Sequence, residues 1–121
     1  MDVRVPLDNI EVSFADFAAV LVEAARRWRS DPENPYLGAV FTSLQWVAQL
    51  HNAAPATGTA ERAVPETIAR EQMAADAVVY GWPNAPAEVS RDWAFGVAAT
   101  LGWVRGVSPA SPIRLGSSRA A

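Results

Sequence analysis

Four stretches of the chain repeat apolar residues at helical spacing, and each is bounded by residues that start or stop helices. In the first, Phe14, Phe17, Leu21 and Trp28 recur with Ala24 and Ala25 between them. Ser13 followed by Asp16 forms a capping-box start, and Val12 with Phe17 occupies the two staple positions around it. Asp31-Pro32 places the stop near Ser30. The second stretch begins at Asn34 as N-cap with Pro35 in the first helical position, and the pattern predicts a helix to about Asn52. Leu37, Phe41, Leu44, Ala48 and His51 share one face, widened by Tyr36, Val40 and Val47, with Trp46 at its far edge. The third runs from Pro65 to Tyr80 with Ile68, Gln72, Ala75 and Val79 on one side, and Gly81, Trp82 and Pro83 form its stop. The fourth is predicted from near Pro86 to Arg105, closed by Gly106, with Val89, Trp93, Val97 and Val104 together.

The helices pair. "VFTSLQWV" (40–47) and "VAATLGWV" (97–104) agree at Val, Leu, Trp and Val, and the preceding turns "PENP" and "PNAP" each carry two prolines three apart. Two helical hairpins packed as an all-α four-helix bundle account for this repeat. Gly96 and Gly102 inside a helix each cost on the order of 1 kcal/mol against alanine, which close backbone packing offsets. Residues 1–12, with Val3, Val5, Leu7, Ile10 and Val12 interrupted by Pro6, read as an extended N-terminal arm with room for one short strand pair. Residues 13–106 form the helical domain, with residues 52–64 linking the hairpins. Residues 107–121, rich in Pro, Gly and Ser, read as a flexible C-terminal tail.

With 121 residues and half of them apolar, the chain suffices for one domain with a real core. It has no cysteine and one histidine, which removes disulfides, Cys-based metal sites and multi-histidine sites. No cofactor or metal is expected. The net charge of −3 has the wrong sign for general nucleic-acid affinity, so no nucleic-acid partner is expected. Arg26, Arg27 and Arg29 fall at the end of the first helix, where cations complement the helix dipole; an anion contact is the alternative. All ten basic residues are arginine, a mark of GC-rich coding. No h-region follows the N-terminus and no apolar run reaches spanning length, so a cytoplasmic protein without a membrane partner is expected.

The chemistry is sparse. There is no phosphate loop, HExxH or GxSxG, and Asp31 and Glu33 in "DPENP" are accounted for by a turn. No catalytic residue is assigned. His51 reads as a histidine at a helix end, with a ligand or general-base role as the alternative. The most informative stretch is "TSLQWVAQLHN" (42–52). From Asn34 to Ala60 there is no formal charge, and the polar side of the second helix is Thr42, Gln45, Gln49 and Asn52. A helix face built for water normally carries charges. That strip is solvated, buried in an interface, or part of a ligand pocket. Trp46 and Trp103, at matching places in the repeat, sit at the edges of their apolar faces, where tryptophan packs between hairpins or anchors a partner.

The pieces "LQWVAQLHNAAP" and "LGWVRGVSPASP" resemble a Leu-x-Trp-Val, glycine, proline-tail pattern found in small helical proteins of actinobacteria and their phages. The first copy lacks the glycine. The resemblance implies a phage or mobile-element origin and carries over no function and no site residue. The expectation is a non-enzymatic protein-interaction module, an inhibitor or adaptor and a homodimer, acting through the second helix and the edges of Trp46 and Trp103. The alternative is a small-molecule-binding domain, potentially enzymatic. Its pocket would lie between the second and fourth helices, with Gln45, Gln49 and His51 as polar contacts.

Overall fold

A computed structural model describes residues 4–115. Its elements are a 3-10 turn at Leu7–Asn9 and four α-helices: α1 (Phe14–Ser30), α2 (Pro35–Val47), α3 (Pro65–Tyr80) and α4 (Arg91–Val104). No strand occurs among the described residues. The protein is an all-α bundle. The two hairpins, α1–α2 and α3–α4, meet where α2 packs on α4.

The internal repeat is that meeting surface. Val40 and Val97, Leu44 and Leu101, Trp46 and Trp103, and Val47 and Val104 are all buried, as are Ser43 and Thr100. Small residues let the helices approach: a Cβ on Gly96 would stand 2.7 Å from the Tyr36 carbonyl oxygen and 2.8 Å from the Ala39 Cβ. Glycine inside α4 therefore permits backbone contact, which offsets its conformational cost.

The capping residues set most helix ends. Ser13 Oγ accepts the Asp16 N–H at 3.0 Å, and Asn34 Oδ1 accepts the Leu37 N–H at 3.1 Å. α3 has the bounds the pattern predicts and ends on Gly81 at φ 70°. α4 starts later than expected. Ser90, not the Pro86 turn, caps it, its Oγ accepting the Trp93 N–H at 3.1 Å. α2 stops earlier, at Val47 rather than Asn52, because Gln49 takes the left-handed conformation at φ 62°. The N–H of Gln49 then bonds the Trp46 oxygen (2.9 Å) and that of Leu50 the Gln45 oxygen (2.8 Å), the paired bonds of a Schellman turn. Glycine normally marks such a turn, so nothing in the local sequence announces it.

The described segments before α1 and after α4 are both tied to the bundle. The 3-10 turn replaces the suggested strand pair. Asn9 Nδ2 donates to the oxygens of Val47 and Ala63, each at 3.0 Å, and the Glu11 N–H donates to the Val104 oxygen at 2.6 Å. The arm thus satisfies a terminal carbonyl of α2 and the matching one of α4. Val3 of the proposed arm lies outside the described residues. The tail also differs from expectation over residues 107–115. Pro112 and Ile113 are buried, Tyr36 donates its hydroxyl to the Pro112 oxygen, and Arg27 Nη2 donates to the Arg114 oxygen at 2.5 Å. An isoleucine in the core and two long-range hydrogen bonds hold a segment whose composition reads as loose. Residues 116–121 lie outside the described part.

Candidate functional site

The segment joining the hairpins (48–64) is pinned by side chains of the surrounding fold and by its own Gln49. Glu71, fully buried in α3, accepts from the N–H groups of Ala56 (2.8 Å) and Thr57 (2.9 Å) and from the Thr57 hydroxyl (2.8 Å). These three hydrogen bonds replace the water that the buried carboxyl group gives up. Trp46 Nε1 donates to the Glu61 oxygen (2.7 Å), Gln49 Nε2 to the Ala63 oxygen (2.9 Å), and Asn9 to that same Ala63 oxygen. Ala54, Pro55, Ala56 and Ala63 are buried in consequence.

This arrangement separates the residues singled out by the sequence. Trp46 is 0% exposed and Trp103 6%, so neither presents an edge to a partner. Both fill the α2–α4 core; α2 is central, and the arc that reads as a rim is covered by the 48–64 segment and by α4. α2 keeps Leu37, Phe41, Thr42 and Gln45 partly exposed on its other side. His51 lies beyond the helix end and is exposed, not on a core-facing position. Gln49, His51 and Asn52 line a shallow cleft of 320 Å³ with Glu61 and Arg62. Thr42 and Gln45 open instead on a second cleft, with Trp28, Gly38, Phe41 and Trp93. Gln45 thus lines one of these clefts, and Gln49 and His51 the other. The close approach at Gly96 fills the space between α2 and α4, and the left-handed turn at Gln49 carries His51 away from Gln45.

The outer face of α3 and α4 carries a feature that periodicity does not bring out. Tyr80 is 67% exposed and Phe95 53%, with Met73 and Trp82 also exposed. Tyr80 stacks on Trp82 with centroids 5.7 Å apart, and Phe95 leans on Tyr36 at 6.2 Å. Tyr80, Val79, Phe95, Ala98 and Ala99 surround Asp76 in a groove of 200 Å³. Asp76 forms no hydrogen bond or ion pair with the described residues. Burial pushes its carboxyl up from the ordinary range, against a lowering by the Arg105 charge. The sequence places Phe95 only off the core-facing side of its helix. Its i+3 and i+4 neighbours Ala98 and Ala99 are the available signal of a small-residue face beside an exposed ring.

Among the described residues no group of three acidic, histidine or cysteine side chains is placed to hold a metal ion. No helix there is long and apolar enough to cross a membrane. Neither a protein-family model, nor a curated protein, nor a solved structure matches this chain.

Proposed function

We propose that this chain is a non-enzymatic protein-interaction module that self-associates through the outer face of α3 and α4. The observation that carries the reading is the Asp76 carboxylate, which forms no hydrogen bond or ion pair with the described residues and feels the Arg105 charge only without contact, at the centre of an exposed apolar face formed by Met73, Tyr80, Trp82 and Phe95. Exposed aromatic side chains of this kind anchor interfaces, while a lone carboxylate in an apolar groove calls for a cation. The same face supplies one. Arg91 stands one turn before Phe95 on α4, exposed and without a partner among the described residues. A two-fold contact sets each Asp76 against the partner's Arg91, as a self-complementary surface requires. This face is preferred to the Trp46 and Trp103 edges because both of those rings are buried.

Light scattering and sedimentation over a concentration series test it. The wild type is expected to reach dimer mass at high concentration. Asp76→Arg is expected to hold the protein monomeric, and Asp76→Arg with Arg91→Asp to restore the dimer. A wild type that remains monomeric at every concentration overturns self-association. A dimer indifferent to both substitutions places its interface elsewhere.

A further inference from the structure

The last turn of α1, the 31–35 turn, α2 and the start of α4 enclose a cleft of 300 Å³ on a different part of the molecule. That volume is at the low end of small-molecule pockets. Trp28 and Phe41 stack as one wall, with centroids 5.5 Å apart and planes 29° apart. Trp93 forms the opposite wall and is fixed by its Nε1 donating to the Pro55 oxygen at 2.8 Å. Between them the floor is Gly38. A Cβ there would stand 3.2 Å from Trp93 Cζ3 and 3.8 Å from Trp28 Nε1, so glycine keeps the space between the rings clear. The donor edge of Trp28 therefore borders the floor.

Thr42 and Gln45 continue along α2 from Gly38, roughly one and two turns on. Neither side chain, nor Trp28 Nε1, forms a hydrogen bond with the described residues. The cleft thus combines ring walls with unused donors and acceptors, whereas the indole N–H groups of Trp46 and of the wall residue Trp93 are both paired. Among the described residues no arginine lines it, and the one charged lining group, Glu33, is exposed, which disfavours an anion. A simple ammonium ion would suit the rings and Glu33 but has no acceptor for the Trp28 N–H and nothing for the Gln45 N–H₂.

We infer that the cleft binds a flat heteroaromatic lactam of nucleobase size, stacked between Trp28 and Trp93. The Gln45 amide places one acceptor and one donor side by side, the complement of a ring N–H next to a ring carbonyl. Trp28 Nε1 and the Thr42 hydroxyl bond the remaining acceptors at the guest's edge. This gives the charge-free side of α2 a ligand and does not depend on the α3–α4 face.

The probe is hypoxanthine, titrated into ¹⁵N-labelled protein and read at the five tryptophan indole N–H signals, assigned by single Trp→Phe variants. Tetramethylammonium is titrated in parallel. Hypoxanthine is expected to shift the Trp28 indole signal saturably downfield and to move that of Trp93, leaving Trp82 in place. Gln45→Leu is expected to weaken binding about tenfold while keeping the wild-type circular dichroism. Gly38→Ala narrows the floor and is expected to weaken it at least as far. No saturable Trp28 shift up to the solubility limit overturns the inference. So does saturation by tetramethylammonium alone, or equal binding by a folded Gln45→Leu protein.

Discussion

α2 and α4 end on the same pattern, LQWVAQL and LGWVRGV, and with the same turn. In α4 the N–H of Gly106 bonds the Trp103 oxygen and that of Val107 the Gly102 oxygen, as Gln49 and Leu50 do for α2. Gly106 adopts φ 75° and Gln49 φ 62°. The left-handed conformation costs a side-chain-bearing residue about 1 kcal/mol and glycine almost nothing. The two copies therefore build one backbone geometry from different chemistry. Gln49 gains a side chain that reaches the Ala63 oxygen and helps hold the segment leading to the second hairpin. Beyond α4 the chain continues as a tail held by Tyr36, Arg27 and a buried Ile113. The first end is a junction fixed by the Gln49 and Asn9 amides and the Glu71 carboxyl; the second is followed by a tail held by two hydrogen bonds and one buried side chain.

The sharpest way to break this contrast is at Glu71, which holds the 55–58 turn and has no counterpart at the tail. Glu71→Leu removes the acceptor of three hydrogen bonds, one of them from the buried Ala56 N–H. A loss of about 3 kcal/mol in unfolding free energy is expected from chemical denaturation. Amide exchange should accelerate at Ala56 and Thr57, with the Val107–Ile113 amides less affected. Glu71→Gln keeps one accepting oxygen and should cost markedly less. A Glu71→Leu protein of wild-type stability would show that apolar burial alone fixes the junction.

The same contrast marks how far the sequence could be read. α1 and α3 are legible because their caps and stops, Ser13, Asp31-Pro32, Pro65 and Gly81, are local signals. The pairing of hairpins is legible in the repeat, since Val40, Leu44, Trp46 and Val47 and their copies are the packed surface itself. The end of α2 is not, because its stop is a tertiary effect. Asn9, Gln49 and Ala63 come from three separate parts of the chain. The burial of Trp46 results from that same segment folding back, which no helical wheel displays. Thr42 and Gln45 stand out in the sequence as part of an uncharged strip. Their neighbours Trp28 and Trp93 lie on other helices, so the cleft could not be assembled from spacing.

Exchanging the two turn residues sharpens the comparison at a smaller scale. Gln49→Gly relieves about 1 kcal/mol of backbone cost and forfeits a hydrogen bond of similar worth, for little net change. Gln49→Ala keeps the conformation without the bond and should lose about 1 kcal/mol. Gly106→Ala incurs the left-handed cost and sets a Cβ 3.2 Å from the Glu11 Cβ, with no new hydrogen bond. It should destabilise by about 1–2 kcal/mol. Urea unfolding of the three variants checks the ordering. A Gln49→Ala protein of wild-type stability would mean that the Gln49 amide contributes nothing.

The smallest effect concerns the tail. Arg26 and Arg27 both bond Glu23, and Arg27 also holds the Arg114 oxygen. Those bonds, from Arg26 first and then Arg27, lower the Glu23 carboxyl from 4.5 to about 2. A folded pKa below the unfolded one gives stability that is complete above the unfolded value and fades as the pH falls from there towards 2. The group is on the surface, so the contribution is small and salt screens it. Glu23→Gln should flatten the low-salt stability profile over that acidic window. It should also speed exchange of the tail amides near Arg114 at neutral pH, while Ala56 and Thr57 exchange as in the wild type. Tail exchange unchanged by Glu23→Gln would mean that Arg27 reaches Arg114 without being oriented by the carboxylate, and that Tyr36 and Ile113 suffice to cover the end of α4.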